Sequence, residues 1–405
     1  GGGLNVLNIG TGDISKFTND PEDINSISSN NLRCIFEDRK GRIWIGTEDA
    51  GLNLYEKEKF TRYLSDENDI FSIGGNDIRS IVEDKNGYLW IGTFGDGLNK
   101  FDPENNKFTR YFHENSLSSN SIYSLYLDDD SKLWIGTSDG LNMLDIPSNR
   151  FEQFNKNSGL PSKSIYTILD DHNGNLWLST NKGISRLNKN THAIKNYDSE
   201  DGLQNTEFNQ GAGYLTKQGE MLFGGINGYT TFSPNEIFDN LNKPEVIFTD
   251  FKILNEKVSI GSPGSPLVRH ISETDTIVLS YKDVSISFEF VALNFTDSKK
   301  NTYAYKMENF ENKWNYVGDR KFANYTNLQP GNYLFRVKAS NNDSVWNEEG
   351  KSIFIIVKPP IWQTWWFYSL TVLFIFSAVL LTIQLRTRAL HKSKIILENQ
   401  VKLRT

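Results

Sequence analysis

Five residues recur at one place in a repeating pattern and have the chemistry to hold a ligand: Arg33, Arg79, Tyr123, Tyr166 and Phe208, at successive spacings of 46, 44, 43 and 42. Each falls one residue after the first apolar residue of a predicted innermost strand, or near it in the degenerate last repeat. Two guanidiniums and three aromatic faces around a channel mouth suit a small saccharide, by forked hydrogen bonding and ring stacking. The same side chains could instead pack between neighbouring sheets. Other chemistries find less support. Carboxylates are plentiful, but they cluster in turns such as Asp128-Asp-Asp130, and no spacing singles out the facing pair that a glycosidase needs. A Gly-x-Ser-x-Gly nucleophile elbow is missing. The five histidines, at 113, 172, 192, 270 and 391, stand singly with no i, i+4 pair, and Cys34 is the sole cysteine. No metal centre, cofactor or internal disulfide is expected. A membrane-anchored glycosidase or lyase remains the alternative class.

The elements that position these residues are set by a repeat. Gly41-Arg-Ile-Trp-Ile-Gly-Thr47 returns as Gly87–Thr93, Ser131–Thr137, Gly174–Thr180 and, degenerate, Gly219–Gly225. Its fourth position falls at Trp44, Trp90, Trp134, Trp177 and Leu222, a period of 43 to 46. Within a period, short β-branched and aromatic runs alternate with Gly, Asn and Asp turns four times, which describes a four-stranded β-propeller blade. No apolar stripe of 3.6-residue period runs through these segments, so a helical solenoid is excluded. The four tryptophans read as one large side chain per blade, filling the space between sheets. The Asp-x-x-Gly turns ahead of them read as hairpin chemistry, not as calcium loops, which need more oxygen ligands in a fixed frame.

The first residues, Gly1 to Asn8, match the middle of a blade, and Asp13 to Thr18 matches its last strand, so the chain is expected to be a fragment with blades upstream. Residues 1–240 are predicted to be half a blade plus five blades of a propeller. Beyond Lys243-Pro244 the rhythm changes. Runs at Val246–Leu254, Thr276–Leu279, Val284–Leu293, Thr302–Met307, Tyr333–Ala339 and Ser352–Val357 predict an immunoglobulin- or fibronectin-like β-sandwich over 241–358. Leu328-Gln-Pro-Gly-Asn-Tyr333 predicts a tyrosine corner, the Tyr333 hydroxyl bonding back to upstream backbone.

No charged residue occurs from Pro359 to Leu385, and 361–385 is predicted to span a bilayer as one helix. Trp362, Trp365 and Trp366 form an interfacial belt at one end; Arg386, Arg388, Lys392, Lys394, Lys402 and Arg404 crowd the other. The positive-inside rule places that basic end in the cytoplasm and everything before 359 in the periplasm, across the inner membrane. Leu390, Leu397 and Val401 suggest that 386–405 opens a coiled-coil linker. The net charge of −7 and pI near 5.4 leave no basic face for nucleic acid outside the last twenty residues.

The repeated Gly-x-Leu-Trp-Ile-Gly-Thr resembles the two-component regulator propeller repeat. Tyr303–Trp314, Tyr325–Tyr333 and Arg336–Asn342 together resemble the three-Tyr domain that follows such propellers, and Pro359-Pro-Ile-Trp-Gln-Thr-Trp-Trp366 resembles that family's entry into the membrane. The resemblance implies the sensor half of a bacterial histidine kinase, often a hybrid with its own receiver and DNA-binding output, that senses glycan breakdown products in the periplasm of Bacteroidota. It also implies a homodimer that acts through a response regulator domain absent from this chain. Glu398–Thr405 resembles the linker ahead of the kinase dimerisation helices. His391 lacks the acidic and Arg-Thr neighbours of a phosphoacceptor. No catalytic residue is therefore expected within these 405 residues, and the same sensor could instead drive a diguanylate cyclase, a phosphatase or a DNA-binding output.

Overall fold

The structure is a computed structural model and describes residues 1–403 other than Asn115 and Pro263. Arg404, counted above in the basic flank, and Thr405 lie outside the described residues. The chain divides into two compact units, residues 1–238 and 239–405.

The first unit opens with a two-stranded antiparallel sheet, β1 (Leu4–Leu7) and β2 (Ile14–Phe17). Four four-stranded sheets follow, each built in chain order from the inside outward. They are β3 (Leu32–Glu37), β4 (Ile43–Thr47), β5 (Leu52–Glu56) and β6 (Lys59–Tyr63); β7 (Ile78–Glu83), β8 (Leu89–Thr93), β9 (Leu98–Asp102) and β10 (Lys107–Tyr111); β11 (Ile122–Leu127), β12 (Lys132–Thr137), β13 (Gly140–Asp145) and β14 (Arg150–Phe154); and β15 (Ile165–Asp170), β16 (Asn175–Thr180), β17 (Gly183–Asn188) and β18 (Ile194–Tyr197). A fifth sheet has three strands, β19 (Phe208–Leu215), β20 (Met221–Gly225) and β21 (Gly228–Phe232). The first strands of successive sheets lie against one another, and β11 also approaches β19, so these strands surround a common axis. This is the blade architecture that the period predicts.

The repeated motif acts twice in holding blades together. Each Trp is buried in a cluster with side chains of the next sheet: Trp44 with Ile78, Ile81 and Leu89, Trp134 with Ile165 and Ile168, Trp177 with Phe208 and Phe223. The Gly two positions after the Trp lets that next sheet approach. A Cβ on Gly46 would lie 2.6 Å from Ile78 Cγ2, and one on Gly92 2.5 Å from Ile122 Cγ2. Such distances are well inside van der Waals contact.

The second unit holds a sandwich of β22 (Glu245–Ile253), β23 (Glu256–Lys257), β24 (Thr276–Ser280), β25 (Ser285–Leu293), β26 (Thr302–Glu308), β27 (Asn315–Gly318), β28 (Phe322–Thr326), β29 (Gly331–Ser340) and β30 (Trp346–Lys358). Sheet orders are β23-β22-β25-β28 and β24-β30-β29-β26-β27, with only β24 and β30 parallel. Phe248, Phe251, Phe288, Phe290 and Phe335 fill the space between the sheets. Three of these strands were not among the predicted runs: β23 and β27 are very short, and β28 alternates buried and exposed residues through Ala323 and Tyr325. The Tyr333 hydroxyl donates to Gln329 O at 2.9 Å, closing the tyrosine corner.

A single helix, α1 (Trp365–Lys402), follows a short turn at Ile361–Gln363. It is the one described helix long and apolar enough to cross a membrane. At 1.5 Å per residue it is about 57 Å long, against a hydrocarbon core of about 30 Å. Trp365 and Trp366 stand in its first turn, and Arg386 and Arg388 lie along its continuous later half. Trp362 stands in the preceding turn, where its ring meets Tyr281 of the sandwich edge to face at 5.3 Å.

Candidate functional site

A recurrent break in strand pairing places the candidate residues. In each four-stranded sheet the first pair loses register after its first residue: between Leu32 and Cys34, Ile78 and Ser80, Ile122 and Ser124, and Ile165 and Thr167. Arg33, Arg79, Tyr123 and Tyr166 are the residues left over. A bulge adds one residue on one strand and re-aims its side chain. Four bulges at one level of the innermost strands therefore turn these four side chains out of the ladders, close to the axis.

Three of the four come together. The Arg79 guanidinium lies over the Phe94 ring at 4.9 Å, Phe94 stacks on Tyr123 at 6.0 Å, and Tyr123 meets Tyr166 at 5.4 Å. Arg79 Nη2 pairs with Asp77 Oδ2 at 2.6 Å, and Nη1 reaches Gln210 Oε1 of β19 at 3.4 Å. Two polar atoms in this group, Asp77 Oδ1 and Arg79 Nε, are buried and have no hydrogen-bond partner. Buried polar atoms without partners are uncommon and call for a reason, such as water or a ligand that satisfies them. Burial, then the neighbouring Tyr166, raises the Tyr123 hydroxyl above the usual phenol range against the pull of Arg79, so at neutral pH it remains a hydrogen-bond donor. Asp96 is likewise raised, by burial and then by the charge of Asp77.

Arg33 is not part of this group. It pairs with Glu48 of its own sheet. Phe208 requires a correction: it is buried, 6.1 Å from Phe223, and packs with Trp177. Phe208 pairs with Gly225 as Ile165 pairs with Thr180, so it occupies the position of Ile165 and not that of Tyr166. The bulge in this last sheet is wider, running from Phe208 to Gly213, and Asn209, Gln210 and Gly211 are its exposed residues. A spacing of 43, not 42, would have reached Asn209. Asp77, Phe94 and Gln210 were missed. Phe94 had a legible signal: the residue after the motif Thr is Glu48, Phe94, Ser138 or Asn181, and in the first two blades it contacts the bulge residue.

The turn aspartates have a second partner that the turn reading omits. Trp44 Nε1 donates to Asp38 Oδ2 at 2.8 Å, Trp90 to Asp84 at 3.0 Å, Trp134 to Asp128 at 3.0 Å and Trp177 to Asp171 at 3.2 Å. The other carboxylate oxygen accepts turn amides, as Asp38 Oδ1 does from Lys40 and Arg42. These four carboxylates are thereby committed to the scaffold. The signal was a constant offset of six residues. The fifth sheet has Thr216 and Leu222 at the same two positions, losing both partners at once.

Known proteins bear on this geometry directly. Residues 26–49, 72–95, 116–139 and 159–182 match the family described as two component regulator propeller, and residues 294–358 match the Y_Y_Y domain. The chain carries regulator propeller repeats and a Y_Y_Y domain. Each propeller match covers the first two strands of a blade with its bulge residue, and Phe208 lies outside all of them. Histidine kinase P4 of Formosa agariphila is 38% identical over 203 residues, half of this chain. The chain spans 15% of the length of that relative. The extracellular domain assigned to a hybrid two-component system of B. thetaiotaomicron superposes with a TM-score of 0.63 at 24% identity, over 89% of this chain and 53% of that one. That likeness establishes the fold. In the Y_Y_Y domain the tyrosine hydroxyls are tied internally: Tyr303 accepts from Ala292 N, Tyr305 accepts from Arg320 and Tyr325 donates to Glu311. Their role here is to hold the sandwich.

Proposed function

We propose that this chain is the ligand-sensing and transmembrane part of a two-component sensor histidine kinase. Its kinase, phosphoacceptor and response regulator domains lie elsewhere in the polypeptide or its partners. Residues 1–240 bind a small saccharide, 241–358 act as a rigid lever, 361–385 cross the inner membrane, and 386–405 begin the cytoplasmic linker. Everything before 359 faces the periplasm, and two copies act as a homodimer. The observation that carries the sensing role is the group at the propeller axis, where an Arg, a Phe and two Tyr converge. Aromatic faces take the C–H side of a sugar ring, and a guanidinium fork takes its hydroxyls. The axis of a ring of blades gathers such weak contributors from several strands.

A ligand shifts signalling only through unequal affinity for two arrangements of the receptor. The lever for this is the Y_Y_Y sandwich, with Trp362 set against Tyr281 where the chain leaves it for the membrane. Titration calorimetry of an oligosaccharide panel against the receptor tests the site. Arg79→Ala and Tyr123→Ala should each weaken binding about 10-fold or more, the size of one or two hydrogen bonds or a stacking contact. Unchanged affinity in folded variants would remove these residues from the site.

A further inference from the structure

Four chain connections gather at one end of the sandwich. Strand β24 ends at Ser280, paired with Lys358 at the end of β30, and β29 begins at Gly331 opposite Val357. The link 281–284 leads from β24 into β25, whose first two residues lie opposite Thr326 of β28 and Ile253 of β22. The β22–β23 turn, the links 281–284 and 327–330 and the exit at 359 therefore share that end. Asn327 N donates to Val284 O at 2.6 Å and ties the two links together. The loop 294–301, at the far end of β25, lies at the opposite end.

The shared end carries the residues of a membrane interface. Leu254 and Asn255 form the tip of the β22–β23 turn, with φ of 53° and 64°. Such turns select Asn, Asp and Gly, yet here a Leu side chain is held out at the tip, 59% exposed. Its amide donates to Ser285 O, next to Val284, which is also exposed. Trp362 remains 53% exposed although its ring meets Tyr281. Lys282 and Lys358 are exposed, whereas Asp283 accepts the Ser280 amide at 2.7 Å. Trp, Tyr and snorkelling Lys are the side chains that suit the boundary between bilayer and water. Six residues, 359–364, separate β30 from α1, so this end lies within about 25 Å of the first turn of α1 even for an extended connection. Strand β30, 13 residues long, carries the opposite end about 40 Å further away.

We propose that this end of the sandwich is a membrane-contact face, seated in the phospholipid headgroup layer of the leaflet that α1 enters. The inference rests on the reading of 361–385 as a span. The tether names the occupant: a bilayer entered at Trp365 brings its headgroups to whatever the chain holds within a few residues of that point. Leu254 and Val284 enter the boundary, Tyr281 and Trp362 lie at headgroup level, and Lys282 and Lys358 meet the phosphates. Contact at the turn as well as at the helix restricts tilting of the sandwich and leaves rotation about the membrane normal.

The test places one reporter at a time in the chain, reconstituted in liposomes of phosphatidylcholine and phosphatidylglycerol. Gln329→Cys in the link 327–330, Ser298→Cys at the opposite end and Ile375→Cys in α1 each carry a nitrobenzoxadiazole fluorophore; all three positions are exposed. A nitroxide on the lipid headgroup should quench the Gln329 reporter several-fold more than the Ser298 reporter. Adding Leu254→Asp, at the exposed turn of the same end, should bring the two closer together. Equal quenching at both ends, or quenching that Leu254→Asp leaves unchanged, would overturn the proposal. A nitroxide deep in the acyl chains reads the Ile375 reporter. Strong quenching there, with Gln329 and Ser298 alike, discards the headgroup contact alone; no quenching there discards the span with it.

Discussion

At the scale of single residues, one aspartate in each complete blade ties a turn to the blade's tryptophan. Asp84 takes turn amides on one oxygen and the Trp90 indole on the other, so Asp84→Ala leaves a buried N–H unsatisfied, a cost of about 1–3 kcal/mol. Replacing both residues by those of the fifth blade, Asp84→Thr with Trp90→Leu, should destabilise by less than the sum of the single changes, with a coupling of about 0.5–3 kcal/mol. A double-mutant cycle in urea on the propeller would show this; strict additivity would mean that the bond contributes nothing. Acid should act on the same class of groups. Burial opposes ionisation of Asp38 and Asp170, but bonds from Trp44 and Arg42 to the first, and from Lys189 and Tyr126 to the second, outweigh it and hold both below the ordinary 3.8. A carboxylate depressed in the folded state stabilises fully above its unfolded pKa and loses that contribution as pH falls through the folded value. The thermal midpoint should therefore fall below about pH 4, and Asp170→Asn should flatten that part of the profile. If the profile keeps its slope in that variant, Asp170 is not a source of it.

At the scale of elements, bulges and corners decide where side chains go. The tyrosine corner ties Tyr333 to Gln329 O, and Tyr333→Phe should cost about 1 kcal/mol without altering the sandwich, since one hydrogen bond is lost and the ring still packs. Calorimetric melting measures this, and an unchanged midpoint would show the bond to be neutral. Neighbouring blades are also clasped through their turns. Arg39 reaches Glu83 and Asp84, Lys85 reaches the Asp129 carbonyl, and Tyr126 donates to Asp170 at 2.6 Å. The contacts of Arg39 and Lys85 repeat at the period of the sequence. They join blades that share no strand, so a change at one blade's axis meets resistance from its neighbour.

At the scale of the whole molecule, the proposed lever and topology make two demands. Replacing Pro359-Pro360 by Gly-Ser should uncouple ligand from a transcriptional output while leaving affinity unchanged, because a flexible joint cannot transmit a displacement. Intact signalling would discard the rigid lever. Topology requires an introduced thiol, because burial pushes the Cys34 thiol up to about 12 and keeps it largely protonated at neutral pH. Ser148→Cys, on an exposed turn of the third complete blade, should react with a membrane-impermeant maleimide from the periplasmic side. Labelling only after the inner membrane is opened would reverse the orientation.

Local sequence pattern by itself determined the blades, most strands of the sandwich and a helix long and apolar enough to cross a membrane, because strand alternation, turn residues and an uncharged apolar run are properties of residues a few positions apart. It even carried the Asp to Trp offset, though that offset meant an indole hydrogen bond only once the two side chains met across a hairpin. Pairing decided the rest. A bulge is a mismatch between two strands, so whether Phe208 or Asn209 faces the axis depended on how β19 registers with β20. Gln210 reaches Arg79 from 131 positions along the chain, and Tyr281 meets Trp362 through a contact that no local pattern announces. Arrangement of the blades about an axis brings Gln210 to Arg79, folding of the second unit brings Tyr281 to Trp362, and each is settled by packing over a whole unit.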